Sequence, residues 1–274
     1  MSDDPVSRLS LNQKTTNRLV LPDAVDACAR AGLDWIGLWR EPVAEFGLER
    51  SAEVLADRRL GVSSLCRGGF FPAPSEEEFE ANVADNLRAV DEAAVLGTDV
   101  VVLVCGGVAG DGLDESRSQV ARGISLVAPH AADRGVRLAI EPLHPMYAAD
   151  RSVIVTLAQA LDLAEQHPPE LVGVVIDTFH LWWDPDVWAQ IARAGKRIFA
   201  YQVCDWLDPL PDVLMGRGMM GDGVIEFRHF TEAVTEAGYD GPIEVEIFNE
   251  EIWAREPGSV IDEMVDRFRR LVAV

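Results

Sequence analysis

Basic residues are scarce: 24 Lys plus Arg stand against 46 Asp plus Glu, a formal charge of −22, and only Lys14 and Lys196 are lysines. So acidic a chain repels phosphate backbones, and no basic stripe offsets that, which argues against nucleic acid as a partner. Cysteine is limited to Cys28, Cys66, Cys105 and Cys204, far apart and without a Cys-x-x-Cys pair, which excludes a zinc finger or a dithiol redox motif. Free, mostly buried thiols are expected. Long apolar runs are missing too. A stretch such as Asp99 to Val104 falls far short of the roughly 20 residues that a membrane span needs, and the polar segment Met1 to Asn17 has no apolar core of a secretory signal. These features predict a cytoplasmic protein with no membrane contact. No Pro/Ser-rich linker or low-complexity tract divides the 274 residues, so residues 1–274 read as a single domain.

What is present is a regular alternation. Hydrophobic residues make up 48% of the chain, enough to fill a core at this length. Short β-rich runs are expected at Arg8–Leu11, Asp34–Leu38, Val62–Cys66, Val100–Cys105, Val136–Ile140, Val172–Ile176, Ile198–Cys204 and Ile243–Ile247. Helical spacing follows each, over Pro22–Ala31, Ser51–Arg59, Ser75–Leu96, Glu115–Arg134, Val155–Gln166, Pro185–Ala194, Phe227–Ala237 and Pro257–Leu271. Glycine closes several helices just ahead of the next strand, at Gly32, Gly97, Gly135, Gly195 and Gly238. Continuously apolar strands such as Val172-Gly-Val-Val-Ile176 suit a parallel sheet covered on both faces, and eight βα units of roughly 34 residues predict an α/β fold, a single (β/α)8 TIM barrel. A doubly wound open sheet is disfavoured because no Gly-x-Gly-x-x-Gly turn follows an early strand.

In a barrel the C-terminal strand ends converge on one mouth. Here the fifth strand ends at Glu141, the sixth at Asp177, the seventh carries Gln202 and the eighth Glu246. Several carboxylates in one low-dielectric mouth repel one another unless their pKa values rise or a cation neutralises them, and a divalent metal does the latter. The all-oxygen set Glu141, Asp177, Gln202 and Glu246 favours Mg2+ or Mn2+ over zinc. Its affinity is expected to fall toward pH 4–5, near ordinary carboxylate pKa values.

The runs Ile140-Glu141-Pro142, Val175-Ile-Asp177-Thr-Phe-His180, Gln202-Val-Cys-Asp205, Gly221-Asp-Gly223-Val-Ile225 and Ile243-Glu-Val-Glu246 resemble the xylose-isomerase-like TIM-barrel family of sugar isomerases and epimerases. The resemblance implies one divalent metal held by Glu141, Asp177, position 202 and Glu246. Family members carry His where this chain has Gln202, and glutamine there resembles the family's 3-dehydroshikimate dehydratases; inosose dehydratases belong to the same family. Barrels of this family commonly pair, so the resemblance leaves a homo-oligomer open.

The expected chemistry starts from a substrate hydroxyl and carbonyl chelated by the ion, which acidifies the neighbouring C–H. Glu141 and Glu246, three strands apart, are the expected acid–base pair, giving isomerisation or epimerisation of a keto-sugar or polyol through an enediolate. Loss of a β-hydroxyl from the same intermediate gives dehydration of a cyclic ketone. A noncatalytic sugar-binding subunit is the rival of another class, but it has no need of two bases beside a metal, and a DNA-cleaving relative of the fold conflicts with the charge and with only five histidines. His180 is read as a further acid or substrate donor. His144, Arg67, Glu41, Trp39, Trp183 and Arg217 are read as substrate contacts, Arg217 with pairing to Asp222 as its alternative. Lys196 falls at the far end of the barrel, which disfavours a Schiff-base aldolase.

Overall fold

Strands whose every residue is apolar can only be satisfied when both faces are covered. Val172–Asp177 and Ile198–Val203 are buried along their whole length. In the computed structural model, which describes residues 5–110 and 112–273, these two and six further strands close a parallel barrel. They are β1 (Leu9–Asn12), β2 (Trp35–Trp39), β3 (Gly61–Gly69), β4 (Val100–Val104), β5 (Arg137–Glu141), β6 (Val172–Asp177), β7 (Ile198–Val203) and β8 (Ile243–Val245). Each pairs with its neighbours in sequence, and β8 returns to β1 with Ser10 level with Glu244. The fold is a (β/α)8 TIM barrel, as the sequence predicts.

The principal outer helices are α1 (Leu21–Ala31), α3 (Leu48–Arg58), α4 (Glu76–Leu96), α5 (Leu113–Arg134), α6 (Leu157–Ala164), α8 (Val187–Ala194), α9 (Phe227–Glu236) and α11 (Pro257–Arg267). Three of the expected helix stops, Gly32, Gly97 and Gly135, cap α1, α4 and α5 in the left-handed conformation, where a side chain is disfavoured. One helix per strand is too simple, however. The strand-to-helix connections hold three more helices, α2 (Arg40–Phe46), α7 (Thr178–Leu181) and α10 (Glu250–Trp253), and a two-stranded antiparallel ribbon joins Asp205–Trp206 to Arg217–Gly218. These pieces are too short for a periodic signal, and all belong to the strand-to-helix side that forms the mouth.

Two layers of apolar packing result. The main core lies between strands and helices. A smaller cluster comprising Cys66, Val100, Val102, Ala139, Val175, Phe199 and Ala200 includes residues two positions before Glu141 and Asp177, which therefore share their inward face. The four cysteines are free and buried, as expected. Among the described residues no helix is long and apolar enough to cross a membrane.

Candidate active site

Strand register brings the acidic ends together. Asp177 on β6 is level with Gln202 on β7, and Gln202 is level with Glu244 on β8. Glu141 ends β5, and Glu246 lies one residue past β8. All are buried. Burial, then Glu246 and Asp177, holds the Glu141 carboxyl well above the usual carboxylate range. Burial likewise raises Asp177, against the pull of Arg217. Glu246 is pushed up to about 7 by burial, with Arg217 opposing and Asp177 adding to the rise. Desolvation outweighs the neighbouring cation, so without metal these carboxyls lie above the ordinary values behind the expected fall of metal affinity toward pH 4–5.

That cation is Arg217. The ribbon delivers it into the mouth, where Nη1 donates to Glu246 Oε2 at 2.8 Å and reaches Asp177 Oδ2 at 3.4 Å. Its guanidinium lies between the rings of Phe179 and Phe248, 4.8 and 4.9 Å from their centroids. Burial disfavours its charge, but Cys204, Asp177 and Glu246 more than offset this and raise its pKa. The alternative pairing with Asp222 does not occur, since Asp222 contacts Arg267 on α11.

His180, on α7 one turn after Asp177, is buried and kept neutral by desolvation, with Arg217 adding to the effect. Its Nδ1 faces the backbone N–H of His144 at 3.2 Å and its Nε2 faces Arg217 Nη2 at 3.1 Å, so a donor meets each ring nitrogen. Nε2 lies 3.9 Å from Glu141 Oε1 and 3.6 Å from Asp177 Oδ2.

The cavity above these groups measures about 250 Å³, the size of a small ring compound or sugar. Glu141, His180, Arg217 and Glu246 line its inner wall, and the expected contacts Trp39, Glu41 and Arg67 also line it. Asp177 and Gln202 are not among its lining residues. His144 and Trp183 are not among them either: His144 Nδ1 caps the turn at Met146, its ring packs against Trp183 and Trp206, and Trp183 Nε1 donates to the His180 carbonyl. Both follow strand ends in sequence, but the local turns spend their polar atoms on backbone.

Several lining residues escaped the sequence reading. Lys14 stands two residues past β1, with Nζ 4.9 Å from the Trp39 ring, and the strand-end rule applied to β1 would have found it. Arg151 and Tyr147 arrive on the long loop after β5, where no pattern marks them. Glu244 and Asn12, buried and not among the lining residues, likewise receive no role from the sequence, because inward and outward strand positions look alike there. Asn12 Nδ2 bridges Glu244 Oε1 at 2.6 Å and Glu246 Oε1 at 3.0 Å, and its Oδ1 accepts from Trp39 Nε1 at 3.0 Å.

The residues fit a divalent ion. Three carboxylates face one guanidinium, and Gln202 Oε1 is a buried oxygen without a hydrogen-bond partner, the kind of atom that a cation satisfies. The ligand atoms of Glu141, Asp177 and His180 lie within 4.8 Å of one another, so His180 joins the residues able to hold an ion; Cys66, Glu244 and Glu246 form a second such group.

Known proteins share this architecture. The 3-dehydroshikimate dehydratase of Pseudomonas aeruginosa is 33% identical over 239 residues, covering 84% of this chain and 36% of that protein. The chain thus spans about a third of the length of that relative. The ketose 3-epimerase of Arthrobacter globiformis is 26% identical, covering 84% of this chain and 78% of that one. A solved protein of Sinorhizobium meliloti 1021 is 48% identical, with a TM-score of 0.96 over 98% of this chain and 100% of that one. The family model described as xylose isomerase-like TIM barrel matches residues 25–271. This chain belongs to the xylose isomerase-like TIM-barrel family.

Proposed function

We propose that the chain is a divalent-metal-dependent enzyme that removes the proton next to the carbonyl of a small hydroxylated ketone, and that its substrate is a carboxylated cyclic ketone that it dehydrates, of the 3-dehydroshikimate class. The observation that carries the choice of substrate is the charge of the cavity. Lys14, Arg67 and Arg151 all line it, in a chain with a formal charge of −22. The Arg67 guanidinium stacks 4.1 Å from the Phe70 centroid, Lys14 Nζ lies 4.9 Å from the Trp39 ring and Arg151 pairs with Asp150 at 3.8 Å, with Glu41, Glu141 and Glu246 the acids that line the same cavity. Such an array suits a substrate carboxylate. The dehydratase relative and the glutamine at position 202 support the same choice.

Glu141, Asp177, Gln202 and Glu246 would hold the ion, which supplies Lewis acidity at the ketone oxygen when bound. The protein's groups do the rest. Glu246 takes the α-proton and hands it to the departing β-hydroxyl, so that water and an enone are the products, while neutral His180 contacts a substrate oxygen. Arg217 and the rings around it exclude solvent and orient substrate oxygens. Isomerisation or epimerisation of a keto-sugar is the second reading, favoured by the placement of Glu141 and Glu246 three strands apart on opposite sides of the mouth, where one could take a proton and the other return it.

The test supplies Mn2+ or Mg2+ and compares 3-dehydroshikimate, inososes and ketohexoses in deuterated water. Turnover of 3-dehydroshikimate is expected, seen as the ultraviolet absorbance of the aromatic diol left by loss of water. Arg67→Gln and Arg151→Gln should raise KM for that acid and leave kcat nearly unchanged. Deuterium entering a ketohexose, with the acid untouched, would establish the epimerase reading instead.

A further inference from the structure

Gln202 stands between two carboxylates, with Asp177 level with it on β6 and Glu244 on β8. An amide has a donor at one end and an acceptor at the other, so its usefulness to an ion depends on which way round it is held. Glu244 settles this. Its Oε1 accepts Gln202 Nε2 at 3.2 Å, and a carboxylate has nothing to donate to the amide oxygen in the opposite orientation. Glu244 is itself locked, for Oε1 also accepts Asn12 Nδ2 at 2.6 Å, and Oε2 accepts the Ser63 and Ser64 hydroxyls at 2.6 and 3.0 Å. Gly37 on β2 makes room for it: a Cβ there would lie 2.4 Å from Glu244 Cδ. Gln202 Oε1 is left buried and without a partner.

We propose that Glu244 is a positioning residue for the metal centre. It holds Gln202 by the amide nitrogen, so that the carbonyl oxygen is the end left for the ion, and through Asn12, which also donates to Glu246 Oε1 at 3.0 Å, it sets a second ligand in the same network. The inference rests on the metal reading above. Loss of a group that orients a metal ligand typically weakens metal binding about 10–100-fold, and that is the effect expected here.

Mn2+ binding can be measured directly by calorimetry or by the spin resonance of the free ion, without any assay of turnover. Glu244→Leu removes the acceptor of Gln202 Nε2 and is expected to keep its far-UV circular dichroism and to bind Mn2+ about 10–100-fold more weakly. Glu244→Gln is the conservative variant: Asn12 Nδ2 requires an oxygen at the Oε1 end, and the amide nitrogen can face the Ser63 and Ser64 hydroxyls, so Gln202 is still held by Nε2 and the parent's affinity should be retained. A folded Glu244→Leu with the parent's affinity overturns the positioning role alone, whereas a parent protein that binds no Mn2+ overturns the metal reading and this inference together. If Glu244→Leu does not fold, Glu244→Gln decides: a tenfold or greater loss there, as expected if Glu244 itself bound the ion, overturns the positioning role.

Discussion

Glu246 combines more demands than any other single residue of the mouth. It accepts Arg217 at one oxygen and Asn12 at the other, and without metal burial brings its carboxyl to about 7. Glu246→Gln keeps the shape and an oxygen donor but removes the base. Its kcat should fall by about 10²–10⁴, the usual contribution of a positioned general base, while KM changes little; near-normal kcat in that variant would reassign proton removal to Glu141 or His180. The acidic strand ends were readable because a barrel converts sequence position into a shared location. Their pKa values were not, because desolvation depends on what packs around each group.

At the scale of elements, the site depends on how helices pin strand ends. Asn86 on α4 is buried and grips β3 at Gly69, accepting its N–H at 2.6 Å and donating to its carbonyl at 2.7 Å. Gly68 leaves room, since a Cβ there would lie 2.7 Å from Asn86 Oδ1. Asn86→Ala strands both backbone groups away from water, which costs about 1–3 kcal/mol for an unmade buried bond, or a Tm lower by roughly 2–4 °C per kcal/mol in a chain of this size. Urea unfolding should show a lower midpoint with the slope unchanged; an unaltered midpoint would mean that the strand end holds itself. The same end of β3 carries Arg67, so KM for an anionic substrate should rise alongside. Helix α2 is tied in by Arg40, which pairs with Asp85 at 2.8 Å and Glu92 at 2.6 Å on α4. The sequence reading missed α2, a seven-residue helix, for want of two full turns of apolar spacing.

For the molecule as a whole, buried acid sets the pH dependence. Without metal, the folded state holds a proton on Glu246 up to about pH 7, whereas the unfolded chain releases it near the ordinary value of 4.5. The folded state therefore binds more protons in that window, and this contribution to stability declines as pH rises from about 4.5 to about 7. A metal ion displaces the proton, so its affinity should rise across that window, with proton release that varies the calorimetric heat between buffers. Melting with and without Mn2+ checks both: the increase in Tm on adding the ion is expected to be larger at pH 8 than at pH 5.5. An equal increase at both values would mean that Glu246 does not exchange its proton for the metal.

The sequence by itself determined the barrel, the order of its strands and the four strand ends that carry Glu141, Asp177, Gln202 and Glu246, because periodicity and strand-end position are local properties of the chain. Tertiary structure decided the partners. Arg217 faces Glu246 and not the nearby Asp222 because the ribbon turns it inward, and Lys14 meets Arg67 and Arg151 at one cavity only once β1 closes onto β8. Glu244 is an interior carboxylate for the same reason, as its neighbours Asn12, Ser63, Ser64 and Gln202 come from three other strands. Which atoms share a low-dielectric space is a property of the closed barrel, and no stretch of sequence contains it.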